Sequence, residues 1–182
     1  ERLPIHWMWW PALGGIIVGV LGLVEPRIFG PGYPSISDTL NGQLVAGALL
    51  SFVSLKILAW TLALGSGTTG GSLAPLFGIG AGLGALVTAA VAGLYPGLGL
   101  DPRLGAVVGM AVVFAGASYA PLASMILVLE TTHCMEATVP LLGASLLATF
   151  ICHLLLPHSL MTAGPARRGV EFPDVERRTK RR

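Results

Sequence analysis

Apolar residues run through this chain in long blocks, separated by short stretches rich in glycine and proline. The first block, Ala12 to Val24, follows Trp7, Trp9 and Trp10, and aromatic residues gather this way where a helix meets the headgroup layer of a bilayer. Gly15 and Gly19 give that block a small-xxx-small face, but it is short for a crossing that takes about 20 apolar residues. Glu25 to Ser37, with Pro26, Pro31, Gly32 and Pro34, reads as a connection. Leu40 to Leu64 is long enough to span and stops at Gly65, Gly67, Gly70 and Gly71. Leu73 to Leu94 predicts a further helix, in which Gly78, Gly80, Gly82 and Gly84 permit close backbone approach. Tyr95-Pro96-Gly97 ends it and Asp101-Pro102 opens the next element.

The run Leu104 to Leu129 has span length but is interrupted by Gly116-Ala117-Ser118-Tyr119-Ala120-Pro121. Proline restricts its predecessor and suits a helix's first turn, so two half-length helices are expected to meet here, the second ending near Glu130. Val139 to Leu156 is the last run; it ends at Pro157, and a short helix restarts beyond Ser159. Strand-like alternation and tandem repeats are absent from the sequence, which predicts an all-α integral membrane fold of about eight helices, several broken or short. Broken helices in a bilayer must be buried in protein or line a watery cavity, which points to a transporter or channel rather than a passive anchor.

Composition agrees with the pattern: 53% of the residues are hydrophobic and 11% charged, whereas soluble domains carry roughly a quarter charged residues. Arg2, Arg27, Lys56 and Arg103 are the basic residues before position 167, while Arg167, Arg168, Arg177, Arg178, Lys180, Arg181 and Arg182 crowd the end, so the net charge of +2 describes the tail. Short basic flanks stay inside, which makes residues 167–182 a cytoplasmic tail or linker and residues 1–166 the membrane domain. No aromatic residue interleaves Arg177 to Arg182, and nucleic acid is not an expected partner. Residue 1 is Glu, with tryptophans close behind and no signal peptide, so the chain is expected to begin mid-protein.

The stretch with the most chemistry is Gly65-Ser66-Gly67-Thr68-Thr69-Gly70-Gly71-Ser72-Leu73-Ala74-Pro75. Its letters match a dinucleotide fingerprint and nearly match a P-loop, but an apolar run of span length precedes it, no acid lies near Ala90, and glycine stands at 71 where a P-loop needs lysine. The remaining physics is common to all such loops: glycines turn the chain tightly, and successive N–H groups point outward from a helix start. That end carries partial positive charge and favours an anion, and half-helix N-termini near the membrane midplane hold anionic substrates in transporters. From the residues alone, a close helix crossing serves the same glycines equally well.

Here the residues resemble a family. Gly65-Ser66-Gly67 followed by Gly70-Gly71-Ser72-Leu73-Ala74-Pro75 is similar to the CLC signature, a glycine-rich turn followed by G-x-F-x-P. Gly105-Ala106-Val107-Val108-Gly109-Met110, Ala120-Pro121-Leu122 and Leu127-Val128-Leu129-Glu130-Thr131-Thr132 resemble that family's next segments in order and spacing. The resemblance covers about Trp10 to Gly169, including Lys56 and Arg167-Arg168-Gly169. It implies the second half of an inverted-repeat chloride channel or proton/chloride antiporter, working as a homodimer in a lipid bilayer with one anion pathway per subunit. The family's gating glutamate and selectivity serine belong to the first half.

By that resemblance Gly71, Ser72 and Leu73 present main-chain N–H groups to a chloride or other small anion, at a helix N-terminus pointing into the protein interior. Met161 stands where the family's ion-coordinating tyrosine is expected, in Ser159-Leu160-Met161, and Leu73 replaces the family's phenylalanine. The implied setting is a multi-pass protein of the bacterial plasma membrane, with no cofactor beyond the transported ion. The alternative is a regulatory or assembly membrane domain that keeps the fold without conducting.

Lys56, inside an apolar run, fits a structural ion pair or a snorkelling side chain better than a pathway role. Glu130 reads as a structural contact at a helix end rather than a proton relay, and Tyr119 offers either a hydroxyl or a packing anchor. Cys134 and Cys152 adjoin His133 and His153, but in different apolar segments, so no metal site is expected. No nucleophile-base-orienter set is visible either, and the chain reads as a non-enzyme.

Overall fold

The computed structural model describes residues 9–29, 33–41, 46–67, 71–156 and 158–162, so the basic tail of residues 167–182 lies outside the described residues. Seven α-helices follow one another there: α1 (Trp10–Val24), α2 (Tyr33–Leu40), α3 (Ala46–Gly65), α4 (Leu73–Leu94), α5 (Pro102–Ser118), α6 (Pro121–Thr132) and α7 (Thr138–Leu155). Short 3-10 turns at Pro26–Ile28, Pro96–Leu98 and Met135–Ala137 lie between them. Among the described residues, Gly47–Gly65, Leu73–Leu94 and Met135–Leu155 are long and apolar enough to cross a membrane, while α1, α5 and α6 are shorter apolar helices. The fold is all-α, as the block pattern predicts.

The local chemistry explains the boundaries. Helix α3 stops because Gly67 takes φ +80°, a left-handed conformation that glycine adopts without steric cost, and its N–H bonds Leu64 O at 3.2 Å. At α5, Asp101 Oδ1 accepts from the Arg103 N–H at 2.8 Å and Pro102 fills the first turn, the arrangement expected of Asp101-Pro102. The break after Ser118 falls inside the expected window, with Tyr119 left-handed at φ 59° and Pro121 opening α6. Helix α6 ends at Thr132, two residues beyond Glu130.

Helix α4 is the centre of the packing. Its Gly80 and Gly84 meet Gly109 and Gly105 of α5 so closely that a Cβ on any of the four would overlap the facing helix. The pairing of 80 with 109 and 84 with 105 runs antiparallel, and the two helices touch backbone to backbone. Gly82 takes the other side, where a Cβ would collide with Val53 of α3. The core then fills with Ile36, Phe52, Phe77, Met110, Val128 and Leu141, and Phe77 meets Phe114 edge to face at 5.5 Å. Edge-to-face aromatic pairs contribute about 0.5–1.5 kcal/mol beyond burial.

Two expectations need correction. The stretch read as a connection holds most of helix α2, which runs on to Leu40, the first residue of the expected span, because Tyr33-Pro34 begins a helix that buries Ser35, Ile36 and Thr39. Proline in a first turn is compatible with helix, and the Thr39 hydroxyl folds back onto Ser35 O at 2.7 Å instead of seeking water. On α1 the contact face is Gly14 and Gly22, not Gly15 and Gly19: a Cβ at Gly14 would meet Ser66 at 2.7 Å and one at Gly22 would overlap Phe29, whereas Gly15 and Gly19 face open space. Both pairs are small residues, and only the packing against α3 and the turn after α1 decides which faces inward.

Candidate anion site

Each sequence-predicted site residue lies at or near the N-terminal end of α4. Ser72 is the N-cap, but with αR backbone angles, and no side chain caps the helix there. The first turn of a helix leaves its N–H groups without intrahelical partners, and here Pro75, third in the helix, has no N–H to offer. The main-chain donors of Ser72, Leu73 and Ala74 therefore form the positive end of a 22-residue helix. Gly71 is exposed, with nothing within 4 Å of where a Cβ would stand. Ser72 is half-buried, Leu73 lies at the exposed margin, and Leu76 to Gly82 are buried.

Met161 joins them from the far end of the sequence. The Ser72 hydroxyl points at the Met161 sulfur, with Oγ and Sδ 3.8 Å apart across 89 positions. Methionine 161 is placed by Ser159, which is buried and whose Oγ accepts from the Thr162 N–H at 3.3 Å, starting a new helical turn after α7. The thioether is a weak acceptor and donates nothing, so Met161 adds no donor to this end of α4. Leu73 also borders a cavity of about 430 Å³ shared with Phe77, Met110 and Ile36, whose polar lining is Ser37, Asn41, Thr131 and Thr132. Gly71, Ser72 and Met161 are not in that lining. The cavity escaped the sequence reading because α2 did.

The remaining candidates separate from this end. Lys56 is 3% exposed and its Nζ donates to Ile28 O at 2.6 Å, tying α3 to the turn after α1, a main-chain contact that no residue letter advertises. Tyr119 directs its hydroxyl at carbonyls near the end of α7, at 2.9 Å from Leu156 O and 3.1 Å from Cys152 O. Glu130 is exposed on the last turn of α6. Cys134 and Cys152 are free thiols, Cys134 ahead of the 3-10 turn that precedes α7 and Cys152 in the last turn of α7. Among the described residues no group of three or more His, Cys, Asp or Glu converges.

With the fold and this end of α4 in view, comparison with known proteins gives one family. The model of the voltage gated chloride channel family matches residues 1–153. The chain belongs to that family. Three relatives of this CLC chain are the H(+)/Cl(-) exchange transporters ClcA of Salmonella arizonae, Salmonella paratyphi B and Salmonella newport, each 35% identical over 149 residues, covering 78% of this chain and 32% of the relative. The CLC chain thus spans about a third of the length of the curated relatives it matches. With its apolar helices, the membership makes it a multi-pass integral membrane protein. Met161 lies beyond the stretch that the family model matches, and its place beside Ser72 rests on the geometry.

Proposed function

We propose that this chain forms the second half of an anion-transport subunit and that chloride, or another small anion, is held at the N-terminal end of α4. The main-chain N–H groups of Gly71, Ser72 and Leu73 are the donors, and Met161 lines the site without donating. The observation that carries this reading is the 3.8 Å approach of the Ser72 hydroxyl to the Met161 sulfur, which draws the segment after α7 onto the start of α4. A glycine-rich approach, an uncapped first turn and the positive end of a long helix are the elements that favour an anion.

The relatives' names, H(+)/Cl(-) exchange transporters, support proton-coupled transport as the mode. In an inverted-repeat transporter the site forms where two halves meet, so the pathway is completed by a first half. A homodimer in the bacterial inner membrane, with the basic residues 167–182 on the cytoplasmic side, completes the proposal. Exposed apolar residues on α6 and α7, among them Leu122, Ile126, Leu147, Phe150 and Leu154, supply surface for lipid and for a second copy.

The test is flux from liposomes containing the full-length protein, with chloride and proton movements followed together. Chloride efflux accompanied by opposed proton movement is expected. Chloride efflux without proton movement would replace exchange by a channel mechanism. No chloride movement from folded protein would leave the non-conducting membrane domain as the function.

A further inference from the structure

Tyr119 occupies the break between α5 and α6 with φ 59°, a left-handed conformation that is uncommon for a bulky side chain and persists only when its surroundings hold it. What holds it is the far end of α7. The phenol oxygen lies 3.1 Å from Cys152 O, 2.9 Å from Leu156 O and 3.4 Å from His158 O, and the ring meets His153 edge to face at 5.6 Å. Cys152 O also accepts from the Leu156 N–H at 2.8 Å, and the single phenolic proton is shared among acceptors that flank the exit from α7. The next residues are Ser159, which starts the new turn, and Met161, whose sulfur lies against Ser72. A continuous line of contacts thus runs from the α5–α6 break to the N-terminal end of α4.

We propose that Tyr119 is a positioning residue, whose hydroxyl fixes where the 158–162 segment begins and so holds Met161 against the Ser72 end of α4. The importance of that placement rests on reading the end of α4 as the anion site. The placement itself does not.

The experiment uses the full-length protein and Tyr119→Phe, which keeps the ring, its packing on His153 and the backbone, and removes only the hydroxyl. In one arm, Ser72→Cys and Met161→Cys are combined with Cys134→Ala and Cys152→Ala, and the rate of disulfide formation between positions 72 and 161 under a mild oxidant reports their approach. In the other, calorimetric titration with chloride is run on the chain carrying Tyr119→Phe alone, beside its melting temperature. Cross-linking is expected to slow several-fold, and the chloride dissociation constant to rise roughly fivefold, the equivalent of one ordinary hydrogen bond.

Unchanged cross-linking and affinity in a folded Tyr119→Phe protein overturn the proposal, and a lowered melting temperature alone assigns the tyrosine to stability. Should Tyr119→Phe fail to fold, Tyr119→His takes its place, with a ring N–H of shorter reach in a residue that tolerates left-handed backbone. Slowed cross-linking in that variant supports the proposal and wild-type cross-linking overturns it. If the wild-type protein binds no chloride, the anion reading falls while the cross-linking arm still decides whether Tyr119 places Met161.

Discussion

An ammonium group on an apolar helix needs an acceptor, and Lys56 finds one in the carbonyl of Ile28, 28 positions away. Lys56→Met keeps most of the stem and deletes the donor, so stability is expected to fall by about 1.5–3 kcal/mol, the worth of a hydrogen bond to a charged group. Thermal unfolding in detergent, followed by tryptophan fluorescence with half-buried Trp60 four positions along the helix, would measure it. The sequence marks Lys56 as a costly residue but cannot name its partner, because every residue carries a carbonyl. Met161 poses the opposite problem: the resemblance places it, and the structure sets it beside Ser72. Met161→Tyr supplies a donor where a thioether has none, and chloride binding is expected to tighten by up to about 1.5–3 kcal/mol in a calorimetric titration. Unchanged affinity in a folded variant would mean that position 161 does not line the site.

Helix by helix, the features legible in the sequence are those with a steric cause written into one residue type. The α3 stop, the Asp101-Pro102 start and the break before Pro121 each rest on a glycine, a capping acid or a proline, and each falls where expected. The face of α1 and the existence of α2 were illegible for one reason: both depend on what lies across the gap. Glycines in α4 are intermediate, since the sequence announces close approach without saying to what. The structure assigns Gly80 and Gly84 to α5 and Gly82 to α3. Gly84→Ala forces a methyl into the backbone of Gly105, and a loss of about 1–3 kcal/mol, typical of overpacking, is expected in denaturation experiments. Gly116 gives a separable case, because a Cβ there would stand 2.9 Å from Cys152 Sγ on α7. Gly116→Ala should destabilise by about 1 kcal/mol, and adding Cys152→Ala should recover most of it, since contacting residues couple in a double-mutant cycle.

On the scale of the molecule, α1 and α6 are too short to cross alone: 15 and 12 residues rise about 22 and 18 Å against a hydrocarbon core of about 30 Å. Short helices and uncapped ends require protein around them in a bilayer, so purified residues 1–182 in liposomes are expected to give no selective chloride flux. Robust flux from that piece alone would defeat the two-halves reading. All-α membrane architecture was legible from the apolar blocks and family from the spaced motifs, whereas the line of contacts from Tyr119 to Met161 was not, because hydroxyl-to-carbonyl bonds leave no pattern in the letters. The antiparallel glycine seam between α4 and α5 bears on how the protein is made. These helices are sequence neighbours joined by a short turn, so their contact closes a small loop at little entropic cost and can form while later segments are still on the ribosome. Substitutions along the seam should therefore register first as failed insertion and clearance of the nascent chain, before any finished protein exists in which transport could be measured.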